Sequence, residues 1–255
     1  MPEAQPLSSD RLADRPGAWV DLGLTLPIFL VYHLAVVFLG VQNATDMVTG
    51  ALMSLSAGDK TKYLLATLCI GVIFAGTFAL LGRGQAFRPR KFVQILVEGA
   101  VYAVVMALAA NAVASGLFAS VAGNIKDEGR FVGFIMSLGA GFYEELTFRV
   151  LLFGLGAKIL VWFFGRQRVE LAGTSVTTSG FTFRSLLVMS AWAIACAVIF
   201  SGVHYVGALA DSFQLTSFTF RAVLGLILTL IFVTRGFAAA VWTHTIYDVW
   251  VLVFR

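Results

Sequence analysis

The chain has 255 residues, 59% of them hydrophobic and only 13% charged, with a mean hydropathy of +0.88. Soluble domains carry roughly 25% charged residues, so this composition excludes a soluble globule, a disordered chain and a fibrous repeat, and leaves an all-α polytopic membrane protein. The 18 Lys and Arg against 14 Asp and Glu give a net charge of +4, a surplus that fits membrane-flanking loops better than a nucleic-acid-binding face.

Residues 1–18 form a polar tail containing Pro2, Pro6 and Pro16, unlike a secretory signal peptide. The first apolar span is therefore expected to act as an uncleaved anchor. A helix needs about 20 apolar residues to cross a bilayer. Seven segments qualify: Val20–Val41, Tyr63–Leu81, Phe92–Val121, Phe131–Phe164, Ser185–Val206, Phe218–Val233 and Phe237–Phe254. Three spans make an N-terminal region over residues 19–130, and four make a second region over 131–255. All prolines occur by Pro89, so helices of the second region are free to run long, with Leu138-Gly139-Ala140-Gly141 as the point where the fourth can bend. Cys69 and Cys196 both sit inside apolar runs and predict no disulfide. Ala112 and Gly116 give the third span a small-residue packing face.

Loop charges predict the orientation. With the N-terminus inside, the inner segments hold Arg11, Arg15, Arg83, Arg88, Arg90, Lys91, Lys158, Arg166, Arg168, Arg184 and Arg235. The outer segments hold only Lys60, Lys62, Lys126, Arg130 and Arg255, so the positive-inside bias places the C-terminus outside.

Ionisable residues inside a span are costly, and each needs a partner or a task. On the fourth span, adjacent Glu144 and Glu145 point about 100° apart. Glu145 and Arg149 are four apart, acid before base, the favourable order for an intrahelical ion pair. Glu144 is left without a partner on its own helix and is the candidate general base. On the fifth span, Phe200 stands one turn before His204 and can pack against its ring. On the seventh, His244 and Asp248 share a face, an arrangement suited to fixing an imidazole tautomer or to donating two metal ligands. The remaining histidine, His33, lies beside Tyr32 with no patterned partner and is expected to be structural or interfacial.

Together these residues resemble a known family. Glu144-Glu145-Leu-Thr-Phe-Arg149 is similar to the EExxxR motif of the CPBP intramembrane proteases, which include type II CAAX prenyl endopeptidases and bacterial Abi-type proteins. Phe200 to His204 resembles their FxxxH motif, and His244 to Asp248 their HxxxN or HxxxD motif, in the family's order, over roughly half of the chain. The resemblance implies an endopeptidase in a bacterial cytoplasmic membrane, acting on a membrane-associated peptide or protein substrate, lipidated or not. It implies that Glu144 activates water, that Glu145 and Arg149 form a supporting pair, and that His204 is a second water-activating or coordinating group. His244 and Asp248 take the oxyanion-stabilising or metal-binding positions. A divalent metal such as zinc, held by Glu144, His204, His244 and Asp248, and a metal-free mechanism both remain open. Where the family has Asn, its amide can donate to an oxyanion. An ionised Asp248 cannot, so it must be protonated, bind a metal or orient His244.

With ideal parallel spans, Glu144, His204 and His244 would lie at different depths. Unequal or broken helices are required to bring them around a water-filled cavity. The rival expectations are an ion- or proton-coupled transporter, disfavoured by the absence of a repeated half, and a non-proteolytic Abi-type immunity or scaffold protein. The scarcity of residues outside the spans points to a bacterial peptide substrate rather than a prenylated CAAX protein.

Overall fold

A computed structural model of the chain describes residues 17–117, 129–165, 182–206 and 211–254. The polar tail with Arg11 and Arg15, the end of the third expected span at Val121, and Lys126, Arg166, Arg168 and Arg255 lie outside the described residues.

Eight helices make up the described chain. They are α1 (Ala18–Leu39), α2 (Met47–Leu55), α3 (Lys60–Leu81), α4 (Pro89–Leu117), α5 (Arg130–Gly165), α6 (Phe183–Val203), α7 (Leu215–Arg235) and α8 (Phe237–Phe254). Seven are long and apolar enough to cross a membrane. They coincide with the seven expected spans to within a few residues, the usual uncertainty of helix ends. The eighth, α2, has nine residues, too few for a span. Asp46 starts it: its Oδ1 accepts from the backbone N–H groups of Val48 and Thr49 at 2.9 and 3.0 Å, satisfying donors that a helix start leaves free.

Helix α8 lies at the centre and packs against α1, α4, α5 and α7. Its first turns carry Ala238, Ala239, Ala240 and Val241, all fully buried, and small side chains let neighbouring backbones approach without a hydrophobic drive between helices. The chain turns from α7 into α8 at Gly236, whose φ of 101° favours glycine. The carboxylate of Asp21 from α1 fills the space a side chain would need there. Asp21 Oδ2 accepts from the Phe237 N–H at 2.8 Å, so an acid in an apolar span is used to cap a buried helix N-terminus. Glu98 of α4 holds Arg235 at the end of α7 in a two-pronged pair at 2.8–3.0 Å.

The expected bend in α5 takes another form. The helix continues through Gly139 and widens over Ala140–Leu155 into a π-helix, with i→i+5 hydrogen bonds. Two glycines at this transition are close-approach sites. A Cβ at Gly139 would enter the ring of Tyr32 on α1, and one at Gly141 would strike Thr245 on α8. Helices α5 and α8 run antiparallel, with Gly133 against Leu252 and Gly141 against Thr245. Their register sets Glu145 opposite His244.

Candidate active site

The six expected site residues lie on three helices, and tertiary packing brings them into one region. Unequal length resolves the depth problem. Helix α5 spans 36 residues and α6 only 21. Glu144, well inside α5, is therefore level with His204 at the C-terminal end of α6.

Glu145 and Arg149 form the expected pair, Oε1 to Nη1 at 3.1 Å, with both side chains essentially inaccessible to solvent. The same Oε1 meets His244 Nδ1 at 2.7 Å. The other ring nitrogen of His244, Nε2, lies 3.4 Å from Asp248 Oδ2. His244 thus stands between two carboxylates, one of which is also held by the Arg149 guanidinium. Burying such a cluster is tolerable only because every charge has a counterpart within contact distance.

Phe200 joins the groups. Its ring lies 5.3 Å from the His204 ring, 6.1 Å from His244 and 5.2 Å from Phe148, centroid to centroid. The Arg149 guanidinium stacks over it at 4.3 Å, a cation–π contact in a desolvated place. The packing of Phe200 on His204 expected from their spacing is present, and the ring also touches the other two helices' ionisable groups.

Glu144 and His204 face each other with Oε2 and Nε2 4.0 Å apart, and both side chains keep partial exposure, 13% and 28%. His204 Nδ1 donates to the Phe200 carbonyl at 2.9 Å. A carbonyl only accepts, so in the neutral ring the proton is on Nδ1 and Nε2 presents its lone pair to Glu144.

The candidate metal ligands Glu144, His204, His244 and Asp248 do not form one ligand set as arranged. His244 commits Nδ1 to Glu145 and turns Nε2 to Asp248. Among the described residues, no group of three or more His, Cys, Asp or Glu side chains is disposed to hold a metal ion. A tetrahedral zinc centre needs at least three protein ligands, so the donor set does not fit one. A cavity of about 590 Å³ lies between α1 and α2, lined by Val36, Gly40, Gln42, Thr49, Met53 and neighbours. None of the six site residues lines it.

Residues outside the motifs also reach the site. Asn43, in the turn between α1 and α2, donates from Nδ2 to Glu144 Oε1 at 2.9 Å. His33 is fully buried, with Nδ1 2.8 Å from the Tyr63 hydroxyl and Nε2 2.5 Å from the Tyr143 hydroxyl, so it is structural and sits inside the protein. Tyr143 directly precedes Glu144 in the chain. No local sequence signal marks these contacts, because every partner comes from another helix. The polar run Gln42-Asn43-Ala44-Thr45-Asp46 between apolar segments shows a turn and a helix start, but not where its side chains point.

No curated protein and no solved structure matches the chain. Residues 127–250 match the family model described as Type II CAAX prenyl endopeptidase Rce1-like, a region that contains all six site residues. Seven apolar helices and this match make the protein a multi-pass membrane protein. Residues 127–250, just under half of the chain, are thus similar to the type II CAAX prenyl endopeptidase Rce1-like family, a family of intramembrane proteases.

Proposed function

We propose that the protein is an intramembrane endopeptidase in which Glu144 and His204 share the hydrolytic water. The observation that carries this reading is the pair of facing acceptors, Glu144 Oε2 and His204 Nε2, 4.0 Å apart. Two acceptors at that distance are matched by a donor with two protons, and a water oxygen about 2.8 Å from each atom spans them. Glu144 removes one proton as the water oxygen bonds to the peptide carbonyl carbon, and the carbonyl electrons move onto oxygen. His204, its tautomer fixed by the Phe200 carbonyl, orients the water. The oxyanion that develops is stabilised by the Nε2–H of His244, whose ring is set by Glu145. Asp248 holds that N–H only loosely, at 3.4 Å, and so acts on the oxyanion through His244. On collapse the C–N bond breaks, and Glu144 returns its proton to the leaving amine.

The family description makes a prenylated CAAX peptide the first substrate to offer. The loop-charge bias supports a cytoplasmic N-terminus. The test is cleavage of a fluorogenic prenylated CAAX peptide by purified protein in detergent. Glu144→Gln, His204→Ala and His244→Ala should each lower kcat by about 10²-fold or more, the usual weight of a general base or an oxyanion donor. Undiminished cleavage by all three variants would refute the assignment.

A further inference from the structure

We propose that Asn43 is a positioning residue that fixes which oxygen of Glu144 faces His204. The inference rests on the reading of Glu144 as the base. It comes from the N-terminal region, which contributes none of the family motifs.

The amide of Asn43 has one orientation available. Its Oδ1 accepts from the Thr45 N–H at 2.9 Å and from the Thr45 hydroxyl at 2.6 Å. Nδ2 is therefore the end that meets Glu144 Oε1, at 2.9 Å. Turning the amide over would set the carbonyl against the Glu144 carboxylate and the NH₂ against the Thr45 backbone N–H, losing two hydrogen bonds that no rotation of the Thr45 hydroxyl restores. The backbone is held as well. The Asn43 N–H donates to the Tyr32 hydroxyl at 3.1 Å, and that hydroxyl donates to Asp46 Oδ2 at 2.9 Å. Asp46 is itself fixed as the cap of α2 and by the Thr49 hydroxyl at 2.5 Å. Tyr32 in turn packs onto Gly139, at the point where α5 begins to widen.

The consequence is specific to one atom. A carboxylate on a flexible side chain can exchange its oxygens by rotating its last torsion, which is soft. With Oε1 anchored to Asn43, Oε2 is the oxygen that remains toward His204 Nε2. Glu144 is only 13% exposed, and Asn43 is its neutral anchor on the side away from His204. A neutral donor orients the carboxylate without supplying a competing charge, unlike the Arg149 that holds Glu145. Pre-setting the base in this way reduces the motion needed to reach the reactive geometry.

The experiment uses the full-length protein in detergent and two readouts. In the first, the infrared spectrum of wild type minus that of Glu144→Gln isolates the Glu144 carboxyl bands, and the same subtraction is made in an Asn43→Ala background. The carboxylate stretching bands should shift when the Nδ2 donor is removed, and unchanged bands overturn the proposal whether or not a substrate is cleaved. In the second, on the prenylated CAAX peptide, Asn43→Ala should lower kcat about tenfold or more while KM stays within about threefold. A kcat at the wild-type level, with Glu144→Gln inactive, overturns the role of Asn43 and leaves the proposed base standing. Activity retained by Glu144→Gln overturns the base assignment, and the infrared bands then decide the contact alone. If Asn43→Ala does not fold, Asn43→Ser, whose hydroxyl is too short to reach Glu144, takes its place in both readouts.

Discussion

Glu145 and His244, 99 positions apart in the chain, meet through Oε1 and Nδ1 at 2.7 Å. The same carboxylate oxygen takes the Arg149 guanidinium at 3.1 Å. One buried acid thus joins the fourth and seventh spans, neutralises the only cation on its own π-helical segment, and sets the ring whose other nitrogen faces Asp248.

Removing that acid should cost stability as well as activity. Glu145→Ala leaves Arg149 charged and unpaired in a place with 1% exposure, a change of about 3–5 kcal/mol. Thermal unfolding in detergent should show a large fall in Tm. The double variant Glu145→Leu with Arg149→Met, which removes both charges and keeps volume, should unfold nearer the wild-type temperature while remaining inactive.

Asp248 should tolerate an amide. If its task is to accept from His244 Nε2, Asp248→Asn keeps an acceptor oxygen and adds a donor near the oxyanion. Its kcat on the prenylated CAAX peptide should stay within about tenfold of wild type. Asp248→Leu, which offers no acceptor, should fall by about 10²-fold. Equal activity in both variants would remove Asp248 from the mechanism.

Gly141→Ala should separate α5 from α8. The added methyl would meet the Thr245 hydroxyl and backbone, and overpacking of this kind costs about 1–3 kcal/mol. Because Glu144 and Glu145 follow three and four residues later, cleavage should fall further than stability alone explains. Thr245→Gly in the same chain should restore part of both Tm and kcat. No recovery would mean that the contact is not what limits the approach.

Chelation should leave the reaction intact. Glu144 and His204 face each other, but His244 is engaged by Glu145 and Asp248, so a third ligand is not presented. The cleavage rate after treatment with EDTA or phenanthroline should equal the rate before it. Loss of activity restored by added zinc would show that His244 leaves its carboxylates to complete a metal site.

Several parts of this arrangement were legible in the sequence. Apolar runs of about 20 residues locate the spans because a bilayer admits little else. The pairs Glu145 with Arg149, Phe200 with His204 and His244 with Asp248 follow from helical spacing, and each is in contact in the structure. The widening of α5 was not legible. Leu138–Gly141 shows only a weak point, and whether a helix bends, breaks or changes its hydrogen-bond period there depends on what packs against it. Here the neighbours are Tyr32 on one side and Thr245 on the other. The part played by His33 was hidden for a similar reason, since its partners Tyr63 and Tyr143 stand 30 and 110 positions away.

By itself the sequence determined that the chain lives in a membrane, how many times it can cross, and which few ionisable residues its apolar spans must accommodate. These are matters of composition and local periodicity, and desolvation costs make them nearly independent of tertiary detail. Only the tertiary structure decided which oxygen and which nitrogen meet. A long α5 beside a shorter α6 levels Glu144 with His204, the glycine contacts set the register that joins Glu145 to His244, and a turn from the opposite half of the chain delivers Asn43 to Glu144. Contacts between helices depend on relative length, register and close approach, and none of these is encoded at the spacing of a single helix.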